Sequence, residues 1–228
     1  MRKIALLAVV AFAAACGSSS DPAPTGSTIT GTVGNTAFTS AAQLSMVLSG
    51  DACTIAVAPG VQLGVSLALL DVANVAGTCS DSQTCISNSV NLGLVIAKVH
   101  VPTTAFPSVT APPITTGTYQ FADVSNLGGL AGITPDASGN ISIFTGGVEV
   151  LGAAPACSTT GGYGISSGTM TVSSVSGSTI TGQVSVVLVD SNGAAAGTLA
   201  GTFTTATNCT PTPAPSACTV LSNLIPAT

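Results

Sequence analysis

The feature that most constrains this chain is a run of period-two alternation toward its C-terminal end. Met170 and Val172 alternate with polar neighbours, Ser174 to Ser178 reads as a turn, and Ile180, Val184, Val186 and Leu188 then fall on one face. Asp190-Ser-Asn-Gly193 turns the chain again into Leu199, Gly201 and Phe203. Side chains two apart share a face only in an extended strand, so this pattern predicts a meander of three antiparallel strands.

The same reading extends upstream. Ile29, Gly31 and Val33 alternate with Thr28, Thr30 and Thr32, and Leu44, Met46 and Leu48 repeat the period. From Val61 to Val75 the chain is almost wholly apolar, with Val61, Leu63, Val65, Leu67 and Leu69 on one face and Ala68 and Leu70 opposite. That predicts a strand buried on both sides, with a helix as the competing reading because a continuous apolar run has no decisive period. Asn91 to Val101 behaves similarly, whereas the stretch from Pro102 to Pro113 cannot be a central strand. An eight-residue echo, Gly26-Ser-Thr-Ile-Thr-Gly-Thr-Val33 against Gly177-Ser-Thr-Ile-Thr-Gly-Gln-Val184, is too short for a duplication and reads as reused turn-into-strand chemistry.

Many short strands, frequent Gly and Pro punctuation and no capped amphipathic helix give an all-β expectation. The form expected is an antiparallel β-sandwich, with a β-barrel as the alternative and few or no helices beyond the N-terminal leader. Composition agrees: of 228 residues 46% are hydrophobic and only 5% charged, the opposite of a disordered chain. The net charge of −5 leaves no basic patch, which excludes nucleic acid as a partner.

The N-terminus carries a different signal. Arg2 and Lys3 precede an apolar run from Ile4 to Phe12, then Ala13, Ala14, Ala15 and Cys16. The run is too short to span a bilayer stably and reads as an export signal. Small residues ending at a cysteine, followed by Gly17 and three serines, resemble the lipobox of bacterial lipoproteins. The resemblance implies cleavage after Ala15, lipidation of Cys16, and anchoring to the membrane through that lipid. With Gly17 and not Asp following, it implies an outer-membrane address in the cell envelope. A plain secretory signal cut at the same place, giving a secreted or periplasmic protein, is the alternative. The organisation expected is a signal peptide over 1–15, a lipidated cysteine and tether over 16–26, a β-sandwich over 27–209 and a Pro-rich tail over 210–228. The whole resembles the Ser/Thr/Gly-rich, cysteine-stapled lipoproteins of envelope-complex bacteria such as myxobacteria.

Cysteine parity supports the lipobox. Of seven cysteines, setting Cys16 aside leaves Cys53, Cys79, Cys85, Cys157, Cys209 and Cys218, an even set suited to three disulfides in an oxidising compartment. Cys157 and Cys209 bracket the meander and are the first pair expected. Cys79 with Cys85 then leaves Cys53 for Cys218, while Cys53 with Cys79 is the rival and would send Cys85 to Cys218.

Chemistry-bearing groups are sparse. Gly164-Ile-Ser166-Ser-Gly168 matches the GxSxG pattern of a hydrolase nucleophile, but β-periodic residues follow it and the sole histidine, His100, precedes it. Its glycines read as a turn. No second histidine or paired CxxC spacing is present for a metal site, and no cofactor motif occurs. Asp136-Ala-Ser-Gly139-Asn140 lacks the alternating acidic ligands of a calcium loop and reads as a turn in which Asp136 bonds its own backbone. The expectation is a non-enzymatic, lipid-anchored envelope protein with a structural or binding role. Its partner class is an envelope polysaccharide or protein, and a serine hydrolase using Ser166 and His100 is the alternative.

Overall fold

The computed structural model describes residues 27–54, 62–76, 88–100, 110–123, 133–153, 158–205, 207–208 and 216–224. Eleven strands run through them: β1 (Ile29–Val33), β2 (Thr36–Thr39), β3 (Ala42–Thr54), β4 (Gln62–Ala73), β5 (Val90–His100), β6 (Gly117–Phe121), β7 (Asn140–Leu151), β8 (Thr159–Ser176), β9 (Thr179–Val189), β10 (Ala195–Thr204) and β11 (Thr207–Asn208). One short helix, α1 (Ala217–Leu224), follows within the Pro-rich tail. The strands form a single sheet in the order β11-β3-β4-β5-β7-β6-β8-β9-β10-β1-β2, curled strongly into a half-barrel.

The predicted meander is present as β8, β9 and β10, paired antiparallel throughout. Its first turn is tighter than the alternation suggested, because β8 continues to Ser176 and only Gly177 and Ser178 turn. Within the apolar run from Val61 to Val75, Gln62–Ala73 form the strand β4. Its two faces enter two different cores: Ala68, Leu70 and Val72 join one, and Val65, Leu67 and Leu69 the other.

The sheet is mixed, not purely antiparallel. β11 lies parallel to β3, and β6 lies parallel to β7 while pairing antiparallel with β8. Since β7 and β8 pair directly at Gly147 and Gly164, β6 enters a fork that opens between them at one end. Tyr119 anchors it: the ring is buried and the phenol donates to the Thr115 carbonyl at 2.8 Å. Phe121 meets Phe144 of β7 edge to face at 5.8 Å.

Curling brings the two ends of the strand order together. β2, at one edge, reaches β3, next to the other edge, through only two residues. Ser40 N–H donates to Ile29 in β1, and Ala41 N–H donates to Ala73 in β4. A buried polar seam continues the junction. Gln43 donates to the Ser27 carbonyl at 3.1 Å and accepts from Thr204 N–H at 2.9 Å. Ser45 donates to Thr205 Oγ1 at 2.6 Å and also contacts the Ser178 carbonyl, while Thr205 Oγ1 accepts from Ile180 N–H at 2.7 Å. Gln43, Ser45 and Thr205 are all buried, so these bonds replace water for every group that the junction hides.

The larger core fills the concave side and draws Ile29, Leu92, Phe144, Met170, Ile180, Leu188 and Phe203 from strands around the whole curl. The smaller one lies on the opposite face of β3, β4, β5 and β7, where Ala217 and Val220 of α1 pack on Met46, Leu48, Val65 and Leu67. The repeated Ser-Thr-Ile-Thr-Gly segments play matching parts: Ile29 and Ile180 are both fully buried in the concave core. The glycine two residues after each one admits a neighbour. A Cβ on Gly182 would stand 2.7 Å from the Phe203 ring and 2.3 Å from the Thr171 carbonyl oxygen.

Candidate functional site

The described residues do not gather the chemistry-bearing side chains named above into one place. Cys16, Cys79, Cys85, Cys157 and Cys209 lie outside the described residues, and Cys53 is described in its backbone alone. Cys218, on α1, is disulfide-bonded and packs against the outer core.

Ser166 does not occupy an elbow or a turn. It lies inside the long strand β8, where the pairing with β9 skips a residue between Ile165 and Ser167. The extra residue of a β-bulge leaves a ladder position unpaired. Here the Ser166 hydroxyl donates to the Val187 carbonyl across the strand at 3.3 Å. Ser173, at the second bulge of the same strand, makes the corresponding bond to the Thr181 carbonyl at 3.1 Å. The pairing of the two serines identifies a structural use for Ser166. Gly164 and Gly168 are strand residues, and at Gly168 a neighbour approaches closely: a Cβ there would lie 2.5 Å from the Ser185 carbonyl oxygen.

His100 ends β5 opposite Asn140, and its Nδ1 lies 3.0 Å from Asn140 Oδ1. Register separates it from Ser166. His100 pairs with Asn140, Gly147 pairs with Gly164, and Ser166 is two residues along β8 from Gly164 toward the Asn140 end. At about 3.3 Å per residue along a strand and about 4.8 Å between strands, the two side chains stand roughly 15–20 Å apart. Lys98, two residues before His100, donates to Thr115 Oγ1 at 2.6 Å.

Asp136 and Asp190 build twin turns. In the first, Asp136 Oδ1 accepts from Ser138 N–H and Asn140 N–H, and in the second Asp190 Oδ1 accepts from Asn192 N–H and Ala194 N–H, all at 2.8–2.9 Å. Backbone N–H donors favour the ionised carboxylate, so Asp136 and Asp190 are both held below the usual aspartate range. Gly139 and Gly193 complete the turns in left-handed conformations, φ 77° and 79°. These carboxylates serve their own loops, as the Asx-turn reading expects.

Sequence reasoning missed one arrangement, because its members lie on three separate strands. Asn91 of β5 pairs with Glu149 of β7, and Asp71 of β4 pairs with Gly93, two residues along β5 from Asn91. All three therefore share one face of the sheet. Burial, with the Glu149 carboxylate adding to it, pushes the Asp71 carboxyl up to about 6. Glu149 accepts from the Thr159 hydroxyl. Asn91 donates to Ser89 Oγ at 3.2 Å while its Oδ1 is buried with no hydrogen-bond partner. Among the described residues, no three His, Cys, Asp or Glu side chains form a group able to hold a metal ion.

The broadest feature is a surface. Across β2, β1, β10, β9, β8 and β6, one register row carries Thr39, Thr30, Ala200, Ser185, Thr169 and Gln120, all exposed. The adjacent row carries Thr202, Gln183, Thr171 and Thr118. Neither row bears a charge, so this face offers hydroxyls, amides and methyl groups only. Among the described residues, Val187, 37% exposed, is the large hydrophobic side chain that breaks the surface. No protein-family model, curated protein or solved structure matches this chain.

Proposed function

We propose that this is a lipid-anchored protein of the cell envelope with a non-catalytic binding or structural role. The observation that carries the reading is Cys16, placed directly behind an apolar run and three alanines and followed by a Gly-Ser-rich tether. A thiol there is the acceptor for lipid, and each buried methylene contributes about 0.8 kcal/mol, so several acyl chains hold a protein durably. An outer-membrane address is part of the proposal.

The finer fold reading favours a barrel-like half over a sandwich, because the two edges of the sheet approach at the Gln43–Ser45–Thr205 seam and one concave core serves strands from both sides. A non-catalytic role is supported by the use of Ser166 at a bulge and its separation from His100. The uncharged Thr- and Ser-bearing face suits a neutral envelope polysaccharide or a protein of similarly low charge, reached through hydrogen bonds and methyl contacts without ion pairs.

Detergent partitioning and intact-mass measurement test the anchor. The mature protein is expected in the detergent phase with the added mass of its acyl groups, and Cys16→Ser is expected to lose both. A Cys16→Ser protein that stays with membranes after a high-salt wash defeats the lipid reading.

A further inference from the structure

We propose that Cys53 and Cys218 form the disulfide that straps α1 to β3 across the outer apolar face of the sheet. Cys218 is bonded through its sulfur and packs against the outer core together with Leu63. On β3 the register sets Cys53 opposite Leu63. Cross-strand partners stand on the same face, so Cys53 occupies the side of β3 that α1 covers.

The helix needs such a strap. It spans eight residues, with no acidic residue in its first turn and no basic residue in its last. Ser216 caps it by accepting from Thr219 N–H at 3.1 Å and from Val220 N–H at its carbonyl, and Ala217 and Val220 are buried against the sheet. Isolated helices of this length are unstable in water. Beneath it lie Met46, Leu48, Val65, Leu67 and Ala97, an apolar face that water would otherwise meet. A covalent tie from the far end of β3 keeps the cover in place when the helix frays.

The bond forms by thiol–disulfide exchange with an envelope oxidoreductase that carries a reactive disulfide. One protein thiolate attacks a sulfur of that disulfide, forming a mixed disulfide and releasing one oxidant thiolate. The second protein thiolate then attacks its partner's sulfur and displaces the other. The protein loses two electrons and two protons, and the oxidant ends as a dithiol. The proposal stands whether or not Cys16 carries lipid.

Peptic digestion of the oxidised mature protein without reduction, followed by mass spectrometry, tests the pairing. A cross-linked species containing Cys53 and Cys218, resolved into two peptides by reductant, is expected. Cys218 joined to Cys209, Cys79, Cys85 or Cys157, or recovered as a free thiol, overturns it. The strapping role is read from the Cys53→Ser/Cys218→Ser double variant, which is expected to bind an apolar-surface dye several-fold more strongly and to be cut within 210–228 at least tenfold faster. Unchanged dye binding and cutting overturn that role. The peptide map of the unsubstituted protein decides the pairing even if the variant does not fold.

Discussion

Replacing Thr205 by valine keeps the volume of the side chain and removes only its hydroxyl, which makes it a direct test of the polar seam. Thr205 is fully buried, and its Oγ1 is the acceptor for Ile180 N–H at 2.7 Å and for the Ser45 hydroxyl at 2.6 Å. Ser45 keeps a second acceptor in the Ser178 carbonyl, but the Ile180 N–H, itself fully buried, has none left. A buried donor left unsatisfied costs about 1–3 kcal/mol, and losing the Ser45 bond adds about 0.5–1.5 kcal/mol. Thr205→Val should therefore cost about 2–4 kcal/mol, a Tm drop of roughly 5–12 °C for a domain of this size. Thr205→Ser retains the hydroxyl and loses one buried methyl, at about 0.8 kcal/mol. Thermal unfolding followed by far-UV circular dichroism, with urea midpoints alongside, gives the ranking. If the valine variant is as stable as the serine variant, the seam is held by packing and the hydrogen-bond argument fails.

Gly182→Ala places a Cβ against the Thr171 carbonyl and the Phe203 ring; it should cost about 1–3 kcal/mol by overpacking, measured by urea denaturation, while Gly177→Ala, in open space but at φ 59°, should cost less. Burial and then the Glu149 carboxylate push the Asp71 carboxyl up to about 6 from its ordinary 3.8, so the folded state binds the proton more tightly and stability should fall between pH 4 and 6 as the carboxyl ionises. The loss should reach about 1–3 kcal/mol, and Asp71→Asn should abolish the slope and be the more stable protein at pH 7. Ser166→Ala and His100→Ala should each fold and leave the protein equally unreactive toward a fluorophosphonate probe; labelling of the unsubstituted protein that is lost in both variants restores the hydrolase reading.

Much of the fold was legible because it rests on local alternation. β4 is the clearest case, since Leu67 and Leu69 against Ala68 and Leu70 already implied two buried faces, and the two cores receive them in that way. The meander was legible for the same reason. What escaped depends on residues far apart in the chain. Gln43 and Ser45 are the polar side of the alternation with Leu44, Met46 and Leu48, and their burial had no visible cause because their partners at Thr204 and Thr205 are about 160 positions away. β6 escaped because five residues hold too few alternations to register, and its place follows from a fork between β7 and β8. The helix α1 was hidden by the prolines around it. Around Ser166, glycine was read as turn chemistry, whereas Gly168 is extended backbone kept bare by the Ser185 carbonyl. The Asp71–Asn91–Glu149 face was illegible because register alone assembles it.

The two halves of the sheet answer different demands, and the contrast bears on how the molecule is displayed. β3, β4, β5 and β7 send apolar side chains into both cores, α1 packs on the outer face at β3 and β4, and Asp71, Asn91 and Glu149 share that outer face. β8, β9, β10, β1 and β2 bury one face in the concave core and expose the other, as an antiparallel sheet with one solvated face does. Solvating that face with threonine, serine and glutamine in place of lysine and glutamate gives up the electrostatic steering that speeds encounters with charged partners. It keeps β-branched threonine, whose side chain suits a pleated strand, and it avoids repulsion from neighbouring surfaces of either sign. A protein tethered at an envelope meets its partner at high local concentration and has little need of long-range attraction. Among the described residues no helix packs on the uncharged, hydrogen-bonding face of β8, β9, β10, β1 and β2, which is the face that the proposed binding role would use.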